Sequence, residues 1–348
     1  MPVSGRSGLG LVEVTVLEAL DAAGATPDHR HRSSARVLAV VEERIGLAPG
    51  YAYLVLTDLA LPWKLPVPLV DGHGNFGSRD GDPPAGWRYT EARLSAAGQV
   101  ALAAERGELA PVPAGLITGN TYQWGTRPPF RPAAVIEAIR QVLARPRTTS
   151  REITAIIGPP DFITGCTVTG DLAGLAAGRP ADLHLHARVT ITDDAHLSAQ
   201  IEGNVPGSWF TPRQLPRTVL VIDNFPPATG PSEVARAIAS RARDPRWAAE
   251  YPGLTRRTRL PVKDVADLSS RRAGCLLACI PEPDADPDEL RRQLAEIEGV
   301  TVRIPAALPR PLAKMIRGWA SSWPGEDLPA SLTAFEDAIA SGRRSHGG

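Results

Sequence analysis

Lysine is nearly missing from this sequence. It stands only at Lys64, Lys263 and Lys314, so almost all of the 38 basic residues are arginine. Guanidinium groups suit bidentate contact with phosphate, yet an Ala-, Gly-, Pro- and Arg-rich composition is explained as readily by genomic base bias. An excess of either charge is also missing: 38 basic residues meet 38 acidic ones. The molecule therefore has no net field to draw it onto a polyanion, and any nucleic-acid contact must be a local patch. Cysteine is scarce, at Cys166, Cys275 and Cys279. Three is an odd number and too few for a disulfide framework in a chain this long, so reduced thiols are expected. No run approaches the roughly 18 uninterrupted apolar residues of a membrane span, which excludes a transmembrane helix, and no membrane partner is expected. Met1 to Gly10 show no basic stretch followed by an apolar segment, so a cytoplasmic location is expected.

What is present is 348 residues, 43% of them hydrophobic, enough for two domains at roughly 100 to 200 residues each. Ser33 and Ser34 can cap a helix reaching Ile45, with Ala35, Leu38, Val41 and Ile45 on one face. Pro49 and Gly50 stop it. Tyr51 to Leu61 is apolar and reads as helical or extended by pattern alone. A short strand is expected over 65–70, then a long loop over 71–86 crowded with glycine, aspartate and Pro83-Pro84. Structure resumes over 87–104, and Pro128, Pro129 and Pro132 lead into a helix over 133–144. From Asp182 to Asp194 apolar Leu183, Leu185, Ala187, Val189 and Ile191 alternate with His184, His186, Arg188, Thr190 and Thr192, predicting one half-buried strand. Strands over 218–223, 274–280 and 300–304, helices over 232–242 and 286–298, and one closing helix over 330–339 complete an α+β pattern.

Several constellations carry chemistry on paper. Gly72-His73-Gly74-Asn75-Phe76-Gly77 matches the dinucleotide fingerprint, which requires a helix to begin at its last glycine; Ser78 to Gly86, with two more glycines and a Pro-Pro pair, predicts a loop instead. Asp71, Asn75, Asp80 and Asp82 suggest calcium, but Phe76 occupies the glycine position of an EF-hand loop. His184 and His186 share a strand face without a cysteine or carboxylate at zinc spacing, so a solvated face is the better reading and no metal site is expected. Cys275 and Cys279 read as small hydrophobes in a buried strand. The run His29-Arg30-His31-Arg32 reads as a solvated turn, with phosphate contact left open. Arg127, Arg131, Arg140, Arg145, Arg147 and Arg151 face only Glu137, a basic excess that fits a polyanion or a solvated helix face equally well. The last constellation is Trp87-Arg88-Tyr89-Thr90-Glu91. A tyrosine beside an arginine on a loop edge suits phosphoryl transfer through a covalent intermediate, because the guanidinium favours phenolate and the pentavalent phosphate; simple packing is the alternative.

Leu69-Val70-Asp71-Gly72-His73-Gly74-Asn75-Phe76-Gly77-Ser78, then Asp80-Gly81-Asp82, then Arg88-Tyr89-Thr90-Glu91-Ala92-Arg93-Leu94-Ser95 resembles the breakage-reunion part of the DNA gyrase A protein, of the type IIA topoisomerases. Ser34-Ala35-Arg36-Val37 resembles the helix before the family's DNA-reading helix, and Gly158-Pro159-Pro160-Asp161-Phe162-Ile163-Thr164-Gly165 resembles the entry to its tower domain. The resemblance covers about residues 11–308. It implies a winged-helix (helix-turn-helix) domain over 1–150, a tower-like α/β domain over 151–308, and a Pro/Trp-rich tail with a short helix over 309–348. It implies Tyr89 as the nucleophile that forms a reversible 5′-phosphotyrosyl bond, Arg88 as its transition-state partner, and Arg36, Arg79, Arg93 and Arg127 as DNA contacts. Double-stranded DNA and a gyrase B-like ATPase/Toprim protein are the implied partners, and a homodimer is an arrangement the resemblance allows. Mg2+ and ATP are expected on that gyrase B-like partner, with no cofactor bound by this chain alone.

The chain also departs from the family. Gly46-Leu47-Ala48-Pro49-Gly50 stands where the family has His-Pro-His-Gly-Asp, an Arg-Arg pair is absent near Val14 to Val16, and Tyr51 to Leu61 places apolar residues and Asp58 where a reading helix should face phosphates. The loop over 118–127 is short and lacks the family's intercalating isoleucine; the N-terminal arm, coiled coil and C-terminal wrapping domain have no counterpart. These departures define an alternative: a catalytically impaired gyrase A paralogue that binds DNA or regulates a topoisomerase.

Overall fold

The computed structural model describes residues 6–118, 128–192, 218–227, 229–242, 259–269, 274–321 and 327–345. Helix α1 (Leu11–Ala22) leads to a two-residue strand β1 (Arg32–Ser33), helix α2 (Ser34–Ile45) and helix α3 (Pro49–Ala60). Val37, Leu38 and Val41 of α2 and Ala52, Tyr53, Leu56 and Leu59 of α3 are buried against one another and against α1. Pro49 sits in the first turn of α3, where its missing N–H costs nothing, so the segment of ambiguous pattern is a helix. The Pro49-Gly50 pair expected to stop α2 instead starts α3, and α2 ends at Gly46.

Strands β2 (Val70–His73) and β3 (Glu91–Leu94) join β1 in an antiparallel sheet of order β1-β3-β2. The strand expected over 65–70 starts only at its last residue. Pro66 and Pro68 have no N–H for a ladder, so pairing begins beyond them. Helices α4 (Ala96–Glu105), α5 (Ala114–Thr118), α6 (Pro132–Ala144) and α7 (Ser150–Ile157) follow. Thr149 and Glu152 close α7 in a reciprocal capping box.

Strand β4 (Thr167–Gly170), helix α8 (Leu172–Ala176) and strand β5 (Ala181–His186) come next, then strand β6 (Arg188–Thr192). The single strand expected from Asp182 is thus two, and residues 193 and 194 lie outside the described residues. At Ala187, whose N–H bonds Val300 O at 2.7 Å, the chain passes from one sheet to another. The two-residue alternation continues across the break, which is why the sequence reads as one strand. Strand β7 (Val219–Asp223), helix α9 (Pro231–Ala242), strand β8 (Val262–Asp267), strand β9 (Leu276–Pro281), helix α10 (Pro287–Ala295) and strand β10 (Thr301–Ala306) complete two antiparallel sheets, β10-β5-β4 and β6-β7-β9-β8. The architecture is α+β.

Two helices end the described chain, α11 (Leu312–Ser321) and α12 (Leu328–Ser345), where one closing helix over 330–339 is expected. They pack on α6, α7 and α4, and one continuous core takes in Leu17, Leu56 and Ile136 together with Ile316, Leu332 and Phe335. A second core, with Leu220, Ile222, Phe225, Leu277 and Leu290, lies under the four-stranded sheet. The loop after β2 ties the two regions together: Asp80 Oδ1 accepts from Ser232 N at 2.9 Å at the start of α9, and Ser232 Oγ donates to Asp80 Oδ2. Among the described residues no helix is long and apolar enough to cross a membrane.

Candidate functional site

The loop between β2 and β3 carries the candidate chemistry. Gly77 does not begin a helix; a turn closes over 78–82, with Ser78 N donating to Asp82 O at 3.2 Å. Gly74 and Gly77 have φ of +105° and +99°, and a Cβ at Gly74 would lie 3.2 Å from Tyr89 O, so side chains are excluded where the two limbs of the loop meet. Ala85 N donates to Asn75 O at 3.0 Å, and Tyr89 N donates to Gly86 O at 2.8 Å, closing a tight turn at the tip.

On that turn Tyr89 is 80% exposed, and Arg88 is exposed beside it with no ion-pair partner among the described residues. The next residue is the opposite case. Thr90 is 1% exposed; its Oγ1 donates to Ser34 Oγ at 2.9 Å and lies 2.9 Å from Tyr53 Oη, while its carbonyl accepts from Ser34 N at 2.9 Å. Tyr53 Oη also donates to Ala85 O at 2.7 Å. Trp87 packs edge-on against the Tyr53 ring, 5.8 Å between centroids. Of the two serines expected to cap α2, Ser33 occupies the cap position without a side-chain bond; the first N–H of the helix is satisfied by Thr90 instead.

The other DNA contacts expected from the sequence are dispersed. Arg36 is exposed on α2. Arg93 lies opposite Asp71 in the β2–β3 register; its Nε donates to Asp71 Oδ2 and its Nη1 to His29 O, each at 2.8 Å. Arg79 is half-buried, its Nη2 is fully enclosed without a hydrogen-bond partner, and its charge is felt by Cys166 and Cys275. Arg127 lies outside the described residues. Within the arginine-rich stretch, Arg140 is spent on Glu336 at 2.9 Å. Asp58 is not on the outward face of α3: it is buried and paired with Lys64, and the outward face carries Tyr51 at 69% and Leu54 at 55% exposure.

Arg93, Asp71 and the histidines form a separate concavity with Asp28, His29, Arg30, His31, His73 and Glu91. His31 Nε2 lies 3.3 Å from Asp71 Oδ2, and its ring centroid lies 5.4 Å from that of His73. Burial holds the His31 pKa below its ordinary value, with Asp71 opposing and Arg93 and His73 assisting. His184 is exposed, and His186 sits between Thr169 Oγ1 at 2.8 Å and Thr301 Oγ1 at 3.0 Å. Burial pushes the Cys279 thiol up to about 12, leaving it a core residue rather than a nucleophile. Among the described residues no group of three or more His, Cys, Asp or Glu is placed to hold a metal ion.

Sequence reasoning missed Tyr53 and Ser34 as parts of this site. Their signal was present only in part: helical spacing puts Tyr53 on the face opposite Tyr51 and Leu54, but nothing local says that its hydroxyl reaches residues 32 and 37 positions onward.

Fold and site together define an α+β protein that displays a tyrosine-arginine pair on a glycine-rich loop braced by two helices. Residues 49–109, which contain that loop and helix α3, match the family of DNA gyrase/topoisomerase IV A subunits. The DNA gyrase A subunit of Streptococcus pyogenes serotype M3 is 35% identical over 191 residues, which cover 47% of this chain and 23% of that protein. The Streptococcus pneumoniae serotype 4 and Synechocystis sp. proteins of the same name are each 34% identical, over 191 and 189 residues, covering 47% of this chain and 23% and 22% of theirs. The match therefore spans less than a quarter of the length of these relatives.

Proposed function

We propose that this chain acts as a type IIA topoisomerase A-subunit-like protein that cleaves and rejoins double-stranded DNA through Tyr89. One observation carries the reading: in the segment that matches the family, the phenol of Tyr89 is 80% exposed beside an exposed Arg88, on a turn whose flanking residues are held. In the step envisaged, Tyr89 Oη attacks a backbone phosphorus. The new O–P bond forms as the bond to O3′ breaks, the 3′ oxygen takes up a proton, and the 5′-phosphate stays on the phenol; reversal reseals the strand. The phenol gives up its proton during that attack, and the Arg88 guanidinium is positioned in sequence to neutralise charge on the phosphate oxygens. Exposed Arg36 is proposed to contact the DNA backbone, whereas Arg93 and Arg79 would need to leave their present surroundings to do so.

The helix pair α2–α3 followed by the β2–β3 hairpin supports a winged-helix unit over residues 1–150, with a tower-like unit over 151–308 and a helical tail over 309–348. A gyrase B-like protein is proposed to supply the Toprim-held Mg2+, which lowers the charge on the reacting phosphate, and ATP hydrolysis.

The test is to denature the protein rapidly in the presence of duplex DNA, magnesium and a DNA gyrase B protein, and to look for DNA covalently attached to this chain. The expected result is an adduct in the parent and none in Tyr89→Phe. No adduct with any gyrase B-type protein, together with retained DNA binding, removes the enzyme and leaves a binding module.

A further inference from the structure

We infer that Ser34, Tyr53 and Thr90 are positioning residues that hold Tyr89 out for reaction, an inference that rests on the reading of Tyr89 as nucleophile. The turn at the tip of the loop runs from Gly86 to Tyr89, and a single phenol grips both of its ends. Tyr53 Oη donates to Ala85 O at 2.7 Å on the entering side and lies 2.9 Å from Thr90 Oγ1 on the leaving side. Thr90 is held a second and third time by Ser34, hydroxyl to hydroxyl and carbonyl to amide, each at 2.9 Å. Between the grips, Trp87 rests edge-on against the Tyr53 ring.

These hydroxyls are in the wrong place for ordinary core residues. Ser34, Tyr53 and Thr90 are all buried, where an unpaired polar group is costly and a phenylalanine, alanine or valine would fill the same space. Here Tyr53 Oη donates to the Ala85 carbonyl and Thr90 Oγ1 donates to Ser34 Oγ, while the Ser34 amide donates to the Thr90 carbonyl. They come from α2, α3 and the start of β3, so two helices rooted in the main core meet at the base of an otherwise exposed tip. A nucleophile that must lie in line with a scissile bond loses about 100-fold in rate when it is displaced by roughly 1 Å. An exposed Tyr89 has no packing of its own to prevent that displacement, so its orientation is inherited from Thr90 and Ala85.

Two readouts on the full chain test this. Hydrogen exchange at the Tyr89 amide, whose bond to Gly86 O closes the turn, is measured on the protein alone. It should quicken by about tenfold or more in Tyr53→Phe and Thr90→Val, while Thr90→Ser, which keeps the hydroxyl, exchanges like the parent. The rate of adduct formation with duplex DNA, magnesium and gyrase B should fall by about tenfold or more in the same two variants, with DNA affinity by fluorescence anisotropy unchanged and Thr90→Ser again restoring the rate. Unchanged exchange in both variants overturns the proposal, as does faster exchange with an undiminished adduct rate or a loss of DNA affinity equal to the loss of rate. A parent that forms no adduct overturns the nucleophile itself; it is told apart because the brace is still read from exchange without DNA.

Discussion

At the scale of single residues, Tyr89 and Thr90 are adjacent in sequence and differ almost completely in surroundings, one projecting into solvent and the other enclosed by α2 and α3. Such a contrast is what a turn anchored at its base produces. The titrating residues show the same dependence on environment. His31 and His186 are both held below the ordinary value of 6.5 by burial. Above that value both are neutral, folded or unfolded. As pH falls below about 6.5 the unfolded chain takes up protons that the native fold resists, so stability is full above this point and is lost as pH drops toward the depressed native values. Urea midpoints should therefore be lower at about pH 5.5 than at about pH 7.5. In the double variant His31→Asn, His186→Asn this difference should shrink; an identical pH dependence in the variant would mean that neither histidine carries it. Tyr89 and Arg88 were legible in sequence because a local motif carries them. The fates of Arg93 and Arg79 were not, since Arg93 is taken by a cross-strand carboxylate and Arg79 is half-buried with its charge acting on Cys166 and Cys275, far along the chain.

At the scale of elements, helix α9 takes its cap from a residue 152 positions away in sequence. Its second residue, Ser232, gives both its N–H and its hydroxyl to the carboxylate of Asp80, which supplies the acceptor that an N-terminal side chain normally provides and places a negative charge at the positive end of the helix. Removing an N-terminal acceptor of this kind costs about 1 kcal/mol, and Asp80→Ala is expected to lose about that much. In a double-mutant cycle with Ser232→Ala the two losses should not add; additive losses would show that the pair does not interact. The elements themselves were mostly legible, because α2, α3, α6 and the strands β7, β9 and β10 follow from apolar spacing and proline placement. The break at Ala187 was not, because a strand that changes sheets keeps the same alternation on either side.

For the molecule as a whole, the two closing helices belong to the same core as the residues beneath the tyrosine loop. Phe335 of α12 is fully buried with Leu332 and Leu328, and Glu336 pairs with Arg140 of α6. Truncating a buried phenylalanine costs about 3 to 5 kcal/mol. Phe335→Ala should therefore lower the unfolding midpoint of the part of the protein that contains α4 and α6, followed by hydrogen exchange at their amides. If exchange accelerates only within α12, that helix is an appendage and not part of the core.

Much of the local order in this chain came from the sequence alone: where most helices and strands run, which of their faces are apolar, and which loop carries a tyrosine next to an arginine. Those properties depend on neighbours within a few positions. Tertiary structure alone decided which hydroxyls meet beneath that loop, which arginines are left facing solvent, and which distant carboxylate ends α9. Each of these is a pairing between residues tens or hundreds of positions apart, and neither periodicity nor composition records which long-range partner a polar side chain will find when the core closes.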